Sequence, residues 1–181
     1  MRAAVFLDRD GTIIEDEGYL NDASRVRLVP GVLEALRAFR SRGMMLVIVS
    51  NQSGIARGLV TEAQYAEIDA RVRELLAAAG APIDASYHCP HGPDAGCDCR
   101  KPLPGMILQA AREHGIDPSR SFMVGDKMSD VGAGRAAGCT TALLGPGKEG
   151  ALGDAPAGAR PDHHAADWPS LLMSMESSWK T

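Results

Sequence analysis

Aromatic side chains are scarce, at 4% of 181 residues, so aliphatic residues must fill any core. Excess positive charge is missing too. Nineteen Lys and Arg stand against 23 Asp and Glu, a net charge of −4. That balance excludes a dedicated nucleic-acid binder of the usual basic kind. Long apolar runs are absent: Met44–Val49 is among the longest, far short of the ~20 residues that a membrane-spanning helix needs. The stretch Met1–Asp8 meets charge early and does not read as a signal peptide. The expected compartment is therefore the cytoplasm, with no membrane partner. No internal repeat or domain boundary is visible, and residues 1–181 read as one domain. Hydrophobic residues at 45% and charged residues at 23% are ordinary for a globular chain.

The pattern alternates strand and helix. Apolar runs at Ala3–Leu7, Met44–Val49, Ile83–Tyr87, Ser121–Val124 and Thr140–Leu144 read as buried strands. Helical spacing covers Val32 to about Arg42, Glu62 to about Ala79, Gly105–His114 and Ser129–Ala137, with a short helix near Trp168–Met175. Residues 145–160 are rich in Gly, Ala and Pro and read as a mobile loop. Such alternation predicts an α/β fold: a three-layer, doubly wound, mostly parallel sheet covered on both faces. Ligands of such sheets bind outside the carboxyl ends of the strands. Asp8 and Asp10 follow the first run, Ser50 the second, Lys101 lies beyond the third and Asp126 follows the fourth. Four strand ends thus bring carboxylates, a hydroxyl and an ammonium to one edge.

In an extended segment, residues i and i+2 point the same way, so Asp8 and Asp10 can share a site. Two close carboxylates repel unless compensated, and Mg²⁺ favours such oxygen ligands. An isolated Asp-x-Asp is more often a solvated acidic turn. Its place directly behind an apolar strand, with Asp126 downstream, favours a metal-dependent site.

Asp8-Arg9-Asp10-Gly11-Thr12 resembles the first motif of the haloacid-dehalogenase-type phosphatases. Ser50, Lys101 and Gly125-Asp126 with Asp130 resemble the second, third and fourth. The resemblance implies a Rossmann-like fold and two-step phosphoryl transfer. Asp8 is then the nucleophile, Asp10 the acid and base, and Ser50 and Lys101 the phosphoryl contacts. Mg²⁺ is held by Asp8, the Asp10 carbonyl and Asp126, with Asp130 behind them. Longer matches narrow this further. Ser50-Asn51-Gln52-Ser53-Gly54-Ile55-Ala56-Arg57-Gly58, Cys99-Arg100-Lys101-Pro102, Pro104-Gly105-Met106, Gly125-Asp126-Lys127 and Gly18-Tyr19 resemble the D-glycero-D-manno-heptose 1,7-bisphosphate 7-phosphatases.

That resemblance implies substrate contacts at Asp16, Glu17, Gly18, Tyr19, Asn51, Gln52, Ser53, Arg100 and Lys127. A bisphosphate carries about four negative charges, so the phosphate that does not react needs a cationic clamp. Arg100 and Lys127 are the first candidates and Arg57 a weaker one. Histidinol-phosphate phosphatases are the nearest alternative; a phospho-accepting module without turnover and a zinc-stabilised interaction domain are more distant ones. The expected product is heptose 1-phosphate, for a nucleotide-activated heptose of lipopolysaccharide or another surface glycan. The preferred anomer stays open, and a monomer is the default.

Cys89, His91, Cys97 and Cys99 offer three thiolates and one imidazole within eleven residues, a complete set for structural Zn²⁺. Reduced thiols clustered by chance, or a redox pair at Cys97 and Cys99, compete with that reading. The family resemblance points to zinc. The loop 88–104 holds little apolar content, so a metal would fix its shape and place Arg100 and Lys101. Cys139 reads as core, and neighbouring His163 and His164 would face opposite sides of a strand rather than chelate together. The intervals Asp8–Ser50 and Ser50–Lys101 leave no room for a cap domain, so the site is expected to be open.

Overall fold

The computed structural model of the protein describes residues 1–145, 160–176 and 179. Its centre is a six-stranded sheet: β1 (Ala4–Leu7), β2 (Met45–Asn51), β3 (Ala85–Cys89), β4 (Phe122–Gly125), β5 (Thr140–Leu144) and β6 (His163–Ala165). The order is β3-β2-β1-β4-β5-β6, and every pairing is parallel. β1 is fully buried along its length, as the central strand of a sheet covered on both faces must be.

The helices are α1 (Val32–Ser41), α2 (Ser53–Ala56), α3 (Glu62–Ala78), α4 (Gly105–His114), α5 (Met128–Ala137) and α6 (Trp168–Glu176). Local chemistry sets their ends. Thr61 and Gln64 form a capping box that starts α3, satisfying backbone donors no helical carbonyl can reach. Gly115, at φ 64°, closes α4 in the left-handed conformation.

Alternation along the strands sorts the core into two layers. Val5, Leu7, Leu46 and Ile48 pack with Leu36 and Phe39 of α1, Ile68 and Val72 of α3, and Trp168 and Leu171 of α6. Ala4, Phe6, Val47 and Val49 face the other way, onto Met106, Ile107 and Ala110 of α4 and Ala133 of α5. Aliphatic residues dominate both layers, as the scarcity of aromatics requires.

The expected helices and the five expected strands form, with shifted ends. β2 runs on through Ser50 and Asn51 because β3 pairs with them, Ser50 opposite His88 and Asn51 opposite Cys89. β3 starts two residues later than the apolar pattern suggests. α2 and β6 are additions, a single turn and a three-residue edge strand too short for periodicity to reveal. Neither Asp8–Ser50 nor Ser50–Lys101 contains an inserted domain, so the fold is capless. Apart from Gly145 and Arg160, the expected mobile loop 145–160 lies outside the described residues. Among the described residues no helix is long and apolar enough to cross a membrane.

Candidate active site

Asp8 stands one residue beyond β1, its backbone N–H held by the Val124 carbonyl of β4 at 2.9 Å. The chain then folds back on itself: the Arg9 carbonyl accepts from Ile13 at 2.9 Å and Ile14 at 3.0 Å. Gly11 makes that turn possible at φ +88°, and a Cβ there would lie 2.3 Å from an Asp126 oxygen. From the far end of the chain, Trp168 Nε1 donates to the Thr12 carbonyl at 2.8 Å, entirely buried.

Lys101 is the hub. Its Nζ donates to Asp8 Oδ1 at 2.7 Å and to the Val49 carbonyl at 2.7 Å, and it pairs with Asp130 Oδ1 at 2.6 Å. Burial alone would pull its pKa down, but the carboxylates of Asp130 and Asp8 hold it above the usual lysine value. Lys101 therefore stays an ammonium. Asp130 is pushed up by burial, against the attraction of Lys101. Its Oδ2 also accepts from the Lys127 N–H at 3.0 Å, at the start of α5. A Cβ on Gly125 would lie 2.2 Å from the Asp130 carboxyl carbon, so only glycine fits beneath it.

Ligand oxygens of Asp8, Asp126 and Asp130 lie within 4.8 Å of one another, and all three residues are buried. Three buried carboxylates face one buried ammonium, an imbalance that a hard divalent cation on oxygen ligands would offset. With Asp130 occupied by Lys101 and the Lys127 backbone, Asp8 and Asp126 are the side chains best placed to hold it. The donor set fits Mg²⁺.

Asp10 lies at the edge of the same site. Arg9 Nη2 donates to its Oδ1 at 3.1 Å and its Oδ2 at 3.0 Å. Gln52 Nε2 donates to Asp10 Oδ2 at 2.8 Å and to Ser50 Oγ at 2.7 Å, so one amide joins the second motif to the first. Asn51 grips the third: its side chain donates to the Lys101 carbonyl and accepts from the Lys101 N–H, both at 3.0 Å.

A cavity of about 780 Å³ opens above these groups. Asp10, Asp16, Gly18, Tyr19, Asn51, Gln52, Ser53, Arg100, Lys101 and Lys127 all line it, each expected from the sequence. Lys127 is half-buried; burial opposes its charge, but Asp8, Asp126 and Asp16 keep its pKa raised. Glu17 and Arg57, also expected to contact substrate, are not among the lining residues. Glu17 pairs with Arg25 at 2.5 Å, and Arg57 Nη1 donates to the Tyr19 hydroxyl at 2.8 Å. Both charges have nearer partners than the cavity. Arg57 acts on the wall of the cavity by holding Tyr19, whose ring sits where a Cβ on Gly54 would be, 2.7 Å away.

Pro93, Gly96, Cys97 and Asp98 supply another wall. Beside it Cys89 Sγ lies 3.5 Å from His91 Nδ1 and 3.6 Å from Cys97 Sγ, and His91 Nδ1 lies 3.3 Å from Cys99 Sγ. A tetrahedron with bonds of about 2.0–2.3 Å has edges of about 3.3–3.8 Å, so the four ligand atoms are spaced for zinc. Arg100 Nη1 donates to the His91 carbonyl at 3.2 Å, tying Arg100 to that cluster. Cys139 is buried in the core as expected.

A HAD-hydrolase-like family model matches residues 98–171. A D-glycero-beta-D-manno-heptose-1,7-bisphosphate 7-phosphatase of Pasteurella multocida (strain Pm70) is 44% identical over 150 residues, covering 80% of this chain and 82% of the relative. The chain belongs to this phosphatase family. The Yersinia pestis member is 45% identical over 148 residues, covering 78% of this chain and 79% of its own. The crystal structure of the D,D-heptose 1,7-bisphosphate phosphatase of B. bronchiseptica, complexed with magnesium and phosphate, superposes with a TM-score of 0.84 at 34% identity. That superposition covers 98% of this chain and 99% of the other. Membership in the heptose-bisphosphate phosphatases favours that reading over histidinol-phosphate phosphatase.

Sequence reasoning missed three participants. Arg9 lies inside the first motif, yet nothing in the sequence tells a buried arginine from a solvated one. Gly54 sits within the second and gives no hint of Tyr19. Trp168 reaches Thr12 across 156 residues, a contact without local signal.

Proposed function

We propose that the protein hydrolyses the 7-phosphate of D-glycero-β-D-manno-heptose 1,7-bisphosphate, giving heptose 1-phosphate for a nucleotide-activated heptose. The observation that carries the reaction is the buried Lys101 bridging Asp8 and Asp130 beneath a cavity flanked by Arg100 and Lys127. The β-anomer follows from the names of the curated relatives, which act on that form.

An Asp8 carboxylate oxygen attacks phosphorus, and the bond to the sugar oxygen breaks as Asp10 protonates it. The resulting aspartyl phosphate is hydrolysed by a water that returns its proton to Asp10. Lys101 and the Ser50 hydroxyl hold the phosphoryl oxygens, and Lys101 offsets charge throughout. Mg²⁺ held by Asp8, Asp126 and the Asp10 carbonyl would supply further positive charge against the transferring group. Arg100 and Lys127 hold the 1-phosphate, for which the arginine fork is well suited. Zinc at Cys89, His91, Cys97 and Cys99 would fix the loop that carries Arg100 and Lys101. The enzyme works as a monomer, because a capless site complete within one chain needs no partner residue, and in the cytoplasm, as the sequence suggests.

Phosphate release with Mg²⁺ from the two heptose bisphosphate anomers and from histidinol phosphate tests this reading. Fast release from the β-anomer is expected. Preference for histidinol phosphate would overturn the substrate, and release from none of the three would overturn the reaction.

A further inference from the structure

Arg9 is 1% exposed, and its partner Asp10 opens into the cavity. Nη2 reaches both Asp10 oxygens, at 3.1 and 3.0 Å, with Nε 3.3 Å from Oδ1. The guanidinium also lies 5.1 Å from the centroid of the Tyr65 ring, within range of a cation–π contact. The centre of that ring lies 4.0 Å from that of His88, tilted by 34°, and His88 in turn contacts Glu62 at 3.2 Å. Arg9 is thus gripped between a carboxylate and an aromatic ring that is itself backed by α3 and β3.

A buried ion pair of this kind adds little stability over well-packed apolar side chains of similar volume. Here Nη1 is also buried with no hydrogen-bond partner among the described residues, a further penalty. Stability is therefore a poor reason for an arginine at this position, and orientation is a better one. A planar fork across both oxygens fixes the plane of a carboxylate, which a lysine, as a point charge, cannot do. Gln52 adds a second anchor on Oδ2.

We propose that Arg9 is a positioning residue that fixes the Asp10 carboxyl group for proton transfer. The inference rests on the phosphoryl-transfer reading above. In the first step the Asp8 oxygen–phosphorus bond forms, the phosphorus–leaving-oxygen bond breaks, and the proton on Asp10 moves to that oxygen. In the second, the water oxygen–phosphorus bond forms as Asp10 takes the water's proton, and the phosphorus–Asp8 oxygen bond breaks to release inorganic phosphate and restore the Asp8 carboxylate. Arg9 touches neither phosphorus nor the leaving group; it sets the direction from which Asp10 approaches.

Leaving groups separate this role from a merely structural one. A sugar alkoxide needs a proton as it leaves, whereas p-nitrophenolate does not. Wild-type turnover of an alkyl ester, heptose bisphosphate or histidinol phosphate, is measured first and tests the functional reading on its own. The ratio of kcat/KM on that ester to kcat/KM on p-nitrophenyl phosphate then reads Arg9. In Arg9→Met the ratio is expected to fall about tenfold or more, since small misplacements of a reacting group have effects of that size. Asp10→Asn should lower it in the same direction. Arg9→Lys keeps the charge in place and should also lower the ratio, so it carries the decision if the Met variant folds poorly. An unchanged ratio, whether both substrates lose activity equally or neither does, would overturn the proposal.

Discussion

The catalytic edge and the zinc loop meet in one cavity, yet they are held by opposite means. Asp8, Ser50 and Asp126 sit on or beside strands whose side chains are buried on both faces. Their positions follow from the sheet and from a closed polar network around Lys101. Cys97 and Cys99 are only partly buried, on a loop without strand or helix. With zinc bound, four side-chain ligands would do there what hydrophobic burial does at the edge. Lys101 belongs to both regions, entering from the loop and ending among the carboxylates. One site can thus join parts of unequal robustness, provided a single residue is anchored in each.

The contrast is broken most sharply by Asp8→Asn. Turnover should fall by at least ~10⁴-fold, the scale seen when a nucleophile is removed, while circular dichroism keeps the folded spectrum, with any shift of the thermal midpoint reporting the lost charge beside Lys101. An active variant would remove Asp8 from the nucleophile's role. Cys97→Ser addresses the other region. Zinc content by elemental analysis should drop, proteolysis should begin within 88–104, and kcat/KM should fall by ~10–100-fold as Lys101 loses its anchor. Circular dichroism should retain the signal of the sheet; its loss would show that the two regions are not separable.

Gly11→Ala sharpens the comparison from the catalytic side. The added carbon meets Asp126 on a backbone at φ +88°, so the Mg²⁺ concentration for half-maximal activity should rise by about tenfold. An unchanged metal requirement would remove Asp126 from the metal site. Asn51→Ala cuts the double hydrogen bond that joins the regions. Two such bonds contribute about 2 kcal/mol together, but they hold Lys101 in the ground and transition states alike, so only a few-fold fall in kcat is expected, with zinc content unchanged. Loss of zinc would instead make Asn51 a support of the loop.

Much of this was legible beforehand, for physical reasons. Buried strands of a parallel sheet read as unbroken apolar runs, and Ala4–Leu7 and Thr140–Leu144 are such runs. Motif residues follow those runs directly, so Asp8 and Asp126 could be placed on one edge. Zinc ligands close in sequence could be counted. What stayed hidden depends on contacts between distant segments. β6 is made of His163, His164 and Ala165, whose polarity conceals an edge strand. The charge of Arg57 suggested phosphate, and only the fold brings the Tyr19 hydroxyl to it. The extension of β2 through Asn51 exists because β3 lies beside it, which no local propensity encodes.

The strand order also has a consequence for how the protein is made. β1 is synthesised before the other five strands, yet it lies mid-sheet between β2 and β4, and residues 122–125 follow it by more than a hundred positions. Until β4 is synthesised, one side of the nascent strand keeps unpaired amides and carbonyls, an edge open to wrong partners. The loop that bears Asp8 waits longer still, for Trp168 to cap Thr12. A ribosome-stalled fragment ending before residue 122 should therefore be sensitive to protease and need chaperone protection, even though it already carries three of the four motifs.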